Sequence, residues 1–312
     1  MGAILDGKRL ADEIKSEVEK EVETLNGIGV DVGLALLLAG ENPASIQYFQ
    51  ATLKACRNVG VTAYEFRLPD TVSANEILNV VHSINIDERI HGLLVLMPLP
   101  GRINARRIVN SIVPEKDIDG LGAISVGRLA ADESTFQLFR RGREDVLQQF
   151  RFMPSVWSFL PCTPFGVIRL LEHHGVALKG KQVVIIGKSL AVGKPLSLMF
   201  LAKEATVTVC HRETRNLGRI TRQADIICSA TGRAGLIKAG MVRQGAVVVD
   251  IGINVLSDGR ITGDVDFKSV SKKASMITPV PGGVGPVTIA MLLENTVRSA
   301  QRNELFKSPL LI

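Results

Sequence analysis

Aromatic residues are scarce in this chain: one Trp, two Tyr and eleven Phe make up 4% of 312 residues. None stands within the arginine group Arg140-Arg141-Gly142-Arg143, so the stacking platform of a nucleic-acid binder is missing there and no nucleic-acid partner is expected. Cysteine is sparse too. Cys56, Cys162, Cys210 and Cys228 stand far apart, without C-x-x-C spacing and without the density of a secreted disulfide scaffold. Reduced thiols and a cytoplasmic location are expected, and no metal site. The longest apolar runs, Val32–Ala39 and Leu93–Leu99 (broken at Pro98), fall well short of the ~20 residues of a membrane span. Met1-Gly2-Ala3-Ile4-Leu5-Asp6 has no basic-then-apolar leader, and Asp6 stands where a myristoylation motif wants Ser or Thr. No membrane partner is expected. Nor is charge of one sign concentrated: 37 basic residues face 31 acidic, a net +6. Only Arg140, Arg141 and Arg143, with Arg151 beyond, gather together, and a solvated surface is their first reading, anion binding their second.

What is present is a globular composition, 46% hydrophobic and 22% charged, at a length that suits two domains. Leu10, Ile14, Val18 and Val22 recur every four residues and predict a helix over Asp6–Leu25. A buried strand at Val32–Ala39 follows, then a helix from Ala44 to Asn58 closed by Gly60, a strand near Thr62–Leu68, a helix from Ser73 to Ile84 and a strand at Gly92–Leu96. The second half alternates more cleanly: helix Pro164–His174, strand Gln182–Ile186, a Gly-rich turn, helix Pro195–Ala202, then strands Thr206–Cys210, Ile226–Ser229 and Val247–Ile251. Continuous β-branched strands between helices mark a parallel α/β sheet covered on both faces. The fold class expected is therefore α/β, with a C-terminal Rossmann-type domain. Ala131–Leu160 shows no clear period and contains Trp157; it reads as an inserted segment or linker, with a short helix at Glu144–Phe150.

The turn Gly187-Lys188-Ser189-Leu190-Ala191-Val192-Gly193-Lys194-Pro195 follows a buried strand and opens a helix, the place where a dinucleotide pyrophosphate meets helix N–H groups. Ser189 occupies the second glycine of G-x-G-x-x-G, so placement carries this signal more than the letters do. A P-loop is excluded because Gln182 stands at its first glycine. The next strand ends in Cys210-His211-Arg212-Glu213. Arg212, with Lys188, suits the 2′-phosphate of NADP, while Glu213 keeps NAD open. His211 reads equally as a cofactor contact or a surface histidine.

Four segments resemble the bifunctional methylenetetrahydrofolate dehydrogenase/cyclohydrolases along almost the whole chain: Asn42-Pro43-Ala44-Ser45 leading to Tyr48; Pro114-Glu115-Lys116-Asp117-Ile118-Asp119-Gly120; Leu160-Pro161-Cys162-Thr163-Pro164; and Thr278-Pro279-Val280-Pro281-Gly282-Gly283-Val284-Gly285-Pro286. The resemblance implies an N-terminal catalytic, folate-binding domain over residues 1–130, with 289–312 returning to it, and a dinucleotide-binding domain over 161–288. It implies a folate cleft between them and a homodimer through the Rossmann domains. Tyr48 would pack on the aromatic part of a tetrahydrofolate derivative and Asp119 would hold the pterin ring, with Pro281, Gly282 and Gly283 also on the substrate side. Gly187, Lys188, Ser189, Val192, Gly193, His211, Arg212, Ala230, Thr231, Gly232, Ile253 and Thr288 would contact the cofactor.

Two departures from the family pattern bear on activity. Thr52 stands where Tyr-x-x-x-Lys places its lysine, and Lys54, six residues from Tyr48, lies about 240° around the helix. Leu96 replaces the glutamine of Val-Gln-Leu-Pro that hydrogen-bonds that lysine, so both partners are lost together. Hydride removal needs positioning more than a base, whereas hydrolysis of the methenyl product must move protons through a titratable group. The expectation is an NADP-preferring dehydrogenase with weak or absent cyclohydrolase activity. The alternatives are a paralogue acting on another folate-like or pterin-like adduct, or a non-catalytic nucleotide- or folate-binding one. Gly127-Arg128-Leu129 is also separated from Pro-Cys-Thr-Pro by a longer passage than in the family.

Overall fold

Apolar runs and four-residue periodicities build two α/β units. The computed structural model describes residues 2–101, 103–131 and 158–307. One unit comprises Met1–Asp12 and Thr163–Ile289, the other Glu13–Cys162 and Ala290–Ile312.

The first strand and helix are β1 (Ala3–Ile4) and α1 (Gly7–Asn26). Leu10, Ile14, Val18 and Val22 of α1 are all buried, as their spacing requires. In the Glu13–Cys162 unit the apolar run becomes β2 (Gly33–Ala39), every residue of it buried. It lies between β3 (Thr62–Leu68) and β4 (Gly92–Val95) in a parallel three-stranded sheet. A central strand covered on both faces has no polar side to alternate with, which accounts for the Leu-rich run. The helix α2 (Pro43–Asn58) starts at Asn42, whose side chain accepts from the N–H groups of Ala44 and Ser45, both at 3.1 Å. Pro43 takes the first helical position, where a missing N–H costs nothing. A Ser73–Glu76 capping box opens α3 (Ala74–Ile86). Two further helices, α4 (Ala105–Val109) and α5 (Ala123–Ala131), had no legible period.

The other unit holds a six-stranded, all-parallel sheet. Its strands β5 (Gln182–Ile186), β6 (Thr206–Cys210), β7 (Ile226–Ser229) and β8 (Val247–Asp250) fall where the sequence placed them, and β11 (Met276–Ile277) completes the set with β1. The order is β1-β11-β8-β7-β5-β6. From β5 the chain runs to β6 on one side and then to β7 on the other, so the winding reverses at the end of β5. Such a switch point is where open α/β sheets bind ligands. Helices α6 (Cys162–His173) and α7 (Gly193–Ala202) and the short α8 (Leu217–Thr221) and α9 (Phe267–Val270) accompany the sheet. A small antiparallel hairpin, β9 (Asn254–Val255) with β10 (Ile261–Thr262), follows β8.

Two boundaries differ from expectation. Residues 1–12 leave the 1–130 domain because β1 pairs with β11, Ala3 opposite Met276 and Ile4 opposite Ile277. The last helix, α10 (Val284–Lys307), begins five residues before Ile289, and from Ala290 onward it belongs with the Glu13–Cys162 unit. The inserted segment, with its arginines Arg140, Arg141, Arg143 and Arg151, Trp157 and the helix at Glu144–Phe150, lies outside the described residues apart from Ala131 and residues 158–160. Among the described residues no helix is long and apolar enough to cross a membrane.

Candidate functional site

Tyr48 and Thr52 lie one turn apart on α2. Thr52 is fully buried and Tyr48 half-buried. The Thr52 hydroxyl donates to the Tyr48 carbonyl oxygen at 2.8 Å, a bond back into the helix's own backbone. Lys54 is exposed, as its rotation around the helix demanded. Leu96 follows β4, buried, its N–H donating to Leu37 O at 2.9 Å. Neither Thr52 nor Leu96 carries a group that ionises near neutrality.

The Pro114–Gly120 segment supplies two different kinds of residue. Lys116 is structural: its buried ammonium donates to Ile84 O and Asp87 O, both at 2.7 Å, closing the C-terminus of α3. Burial draws its pKa below the ordinary lysine value, with Asp87 and Glu88 opposing. Asp117 accepts from Leu121 N at 3.1 Å, Gly122 N at 2.9 Å and Ser125 Oγ at 2.5 Å. Burial raises its carboxyl to about 6 against those bonds. Asp119 accepts from the N–H and thiol of Cys162, yet burial, and then the charge of Asp117, push it up to about 7. Burial first, and then the Asp119 charge, also raise the Tyr48 phenol and the Cys162 thiol well above their usual values. Tyr48, Asp119 and Cys162 thus form one corner, in which an aromatic ring stands beside a carboxyl that changes charge near neutrality. Such a corner can stack on a flat heterocycle and bond to its ring N–H groups.

Sequence reasoning missed the residue that ties this corner together. Asn295 of α10 is buried, and its Nδ2 donates to Ile118 O at 2.8 Å and Leu160 O at 3.4 Å and lies 3.5 Å from Cys162 Sγ. The available signal was weak: Asn295 follows the apolar run Ile289–Leu293 but sits between Glu294 and Thr296, and only its burial shows that the amide needs partners.

In the dinucleotide unit, Gly187 leaves β5 at φ +118°, and a Cβ there would stand 2.3 Å from Ala230 O. Only glycine lets the turn pass so close to the end of β7. Ser189 Oγ accepts from Val192 N at 3.1 Å and Gly193 N at 3.4 Å, shaping the entry to α7, and Lys188 is exposed beside it. Beyond β6, His211 N donates to Thr214 Oγ1 at 2.9 Å and His211 Nδ1 accepts from Glu213 N at 3.3 Å. Arg212 Nε meets Glu213 Oε1 at 2.9 Å, both side chains largely in solvent. Ala230, Thr231 and Gly232 follow β7, and exposed Ile253 follows β8. After β11 come Pro281, Gly282, whose carbonyl accepts from Gly7 N at 3.1 Å, and Gly283. Thr288 Oγ1 lies 3.2 Å from both Thr163 Oγ1 and Val284 O. Every residue expected to contact the cofactor thus lies in one unit, and all of them except Thr288, which is within α10, fall where the chain leaves the C-terminal ends of the strands. Pro281, Gly282 and Gly283 are in that unit as well, whereas Tyr48 and Asp119 are in the other. Among the described residues no cluster of His, Cys, Asp and Glu could hold a metal ion.

Two family models match the chain: the catalytic domain of tetrahydrofolate dehydrogenase/cyclohydrolase over residues 5–119, and its NAD(P)-binding domain over residues 161–304. The bifunctional protein FolD of Moorella thermoacetica is 44% identical over 299 residues, 96% of this chain and 99% of that one. The solved structure of FolD, a bifunctional methylenetetrahydrofolate dehydrogenase/cyclohydrolase from Campylobacter jejuni, has a TM-score of 0.86 at 44% identity, covering 97% of this chain and 100% of its own. That of the N5,N10-methylenetetrahydrofolate dehydrogenase-cyclohydrolase of Trypanosoma brucei, complexed with NADP cofactor and an inhibitor, has a TM-score of 0.85 at 33% identity over 97% and 98% of the two chains. With both domains matched in order and relatives alike over nearly its whole length, the chain belongs to the tetrahydrofolate dehydrogenase/cyclohydrolase family, a catalytic domain followed by an NAD(P)-binding domain.

Proposed function

We propose that this chain oxidises 5,10-methylenetetrahydrofolate to 5,10-methenyltetrahydrofolate with NADP as acceptor and has little or no cyclohydrolase activity. The observation that carries the second half is Thr52: a buried hydroxyl bonded to its own helix stands where a lysine would titrate, with apolar Leu96 in place of that lysine's partner.

Tyr48 offers its ring to the aromatic part of the folate, and Asp119 accepts from the pterin N–H groups. Cys162 holds the Asp119 carboxylate through its N–H and thiol. The chain's task in dehydrogenation is to hold the methylene carbon in place, because the folate nitrogens share the positive charge left when hydride departs. Bound NADP supplies the acceptor for that hydride. The Gly187 turn fits a dinucleotide, since it brings bare backbone and the start of α7 to the switch point. Lys188 and Arg212 supply the cations for a 2′-phosphate. The exposed Arg212–Glu213 pair is a weak competitor, since such pairs contribute little in water. Adding water to the methenyl carbon requires proton transfer through a group that titrates and reaches the reacting atoms, and Thr52 and Leu96 provide none.

A homodimer through the dinucleotide unit belongs to the same reading: β6 is an edge strand, largely exposed, with Val209 on it and Leu201 before it open to solvent. All four cysteines are buried free thiols, which suits a reducing, cytoplasmic setting.

Absorbance assays on one preparation test the reading: oxidation of methylenetetrahydrofolate with NADP and with NAD, and hydrolysis of methenyltetrahydrofolate, with Thr52→Lys run alongside. Oxidation favouring NADP without hydrolysis is expected. Hydrolysis as fast as oxidation in the parent would overturn the cyclohydrolase claim, and no oxidation with either dinucleotide would overturn the whole.

A further inference from the structure

Two buried carboxylates that the reading above does not use organise the loops beyond β7 and β8. Asp264 is fully buried. Its Oδ2 accepts from Ser229 Oγ at 3.0 Å, Thr231 N at 2.6 Å and Thr231 Oγ1 at 2.8 Å, and its Oδ1 accepts from Arg233 N at 3.0 Å and Asn254 Nδ2 at 3.1 Å. Asp250 ends β8. Its Oδ1 accepts from Gly252 N at 3.0 Å and Asp264 N at 2.9 Å, its Oδ2 from Val265 N at 2.8 Å, and its own N–H donates to Thr278 Oγ1 at 2.7 Å. The segments after β7, β8 and β11 are therefore linked through one chain of contacts, Thr278 to Asp250 to Asp264 to Ser229 and Thr231.

The fit is close. A Cβ on Gly252 would stand 2.1 Å from Asp264 Oδ1, and one on Gly263 only 1.9 Å from Asp250 Oδ2. Charge-assisted bonds from several donors keep a buried carboxylate in place and hold each donor in a fixed direction. The donors here bracket Gly232 on one side and, through Gly252 and Asn254, Ile253 on the other. In a sheet of this winding the pyrophosphate lies at the start of the helix after β5 and the adenosine lies toward β6, which leaves the nicotinamide end for the β7 and β8 side.

We propose that Asp264, oriented by Asp250, is a positioning residue for the nicotinamide half of the cofactor site, holding Ala230–Gly232 and Gly252–Asn254 in their binding shape before the dinucleotide arrives. The proposal rests on the dinucleotide-binding part of the functional reading. Preorganised loops bind more tightly because the ordering cost is met during folding. The adenosine half, on the β5 and β6 side, should not depend on the pair.

The test is equilibrium binding of NADPH, followed by its fluorescence, and of adenosine 2′,5′-bisphosphate, which probes the adenosine half alone, in parent and Asp264→Asn protein. The amide puts an N–H against donors whichever way it turns. NADPH affinity should fall about tenfold or more, the cost of breaking bonds to a charged group, while the bisphosphate stays within about twofold and the KM for folate is likewise unchanged. Equal losses for both ligands, or parent-like NADPH affinity with a lowered melting temperature, would overturn the positioning role and leave a merely structural one. If Asp264→Asn does not fold, Ser229→Ala decides, because it removes one donor to Asp264 Oδ2 at a buried residue outside the expected cofactor contacts. Weakened NADPH binding with parent bisphosphate affinity supports the proposal, and parent affinity for both ligands overturns it. A parent that binds NADPH without oxidising methylenetetrahydrofolate refutes the functional reading but leaves the pair to be judged on binding. A parent that binds neither NADPH nor NADH refutes both.

Discussion

Replacing Asp119 by Asn should remove a defined part of this protein's pH-dependent stability. Its carboxyl, enclosed by Tyr48 of α2, Cys162 of α6 and Asp117 of its own segment, holds its proton up to about 7, whereas in the unfolded chain it ionises near 3.9. The folded state thus binds more protons between these values, and stability falls as pH rises through the window. Three pKa units at about 1.4 kcal/mol each set an upper bound of about 4 kcal/mol. Because Asp119 keeps some exposure, roughly half of that is the working expectation. Asn does not titrate, so the stability of Asp119→Asn relative to the parent should climb by about 2–4 kcal/mol from pH 4 to pH 7 and then level off. Asp250, raised to about 6 by burial, contributes equally to both proteins and cancels. Urea unfolding followed by circular dichroism at half-unit pH steps measures the difference. Parallel curves for the two proteins, within about 0.5 kcal/mol across the window, would refute the enclosed-carboxyl account; a pH-independent offset alone would not support it.

Two further substitutions test the scaffold. Lys116→Met keeps the stem but removes both bonds to the end of α3, so urea unfolding should show a loss of about 2–3 kcal/mol; parent-like stability would mean that water serves those carbonyls equally well. Gly193→Ala puts a Cβ 2.0 Å from Gly187 O. It should force the turn open and weaken NADPH binding more than tenfold by fluorescence titration, and unchanged affinity would show that this turn does not hold the pyrophosphate.

Local patterns were legible because they are set by neighbours in the chain. The burial of β2, the start of α3 at Ser73, the inward face shared by Tyr48 and Thr52 and the outward turn of Lys54 all follow from residue type and a period of 2 or 3.6. The glycine-bearing turn after β5 was readable for the same reason, although the strand order that makes it a switch point was not. The pairing of β1 with β11 escaped notice because a two-residue strand has no period.

The sequence by itself determined the α/β alternation, the glycine-bearing turn after β5 and the absence at Thr52 and Leu96 of any side chain that ionises near neutrality. Only the tertiary structure decided that Asn295 reaches Ile118 across 177 positions, that Asp119 sits against Cys162, and that Asp250 and Asp264 join three strand-end loops. The physical reason is that a buried polar group is placed by partners distant in sequence, and a single chain carries no local signal of which donors will meet which acceptors.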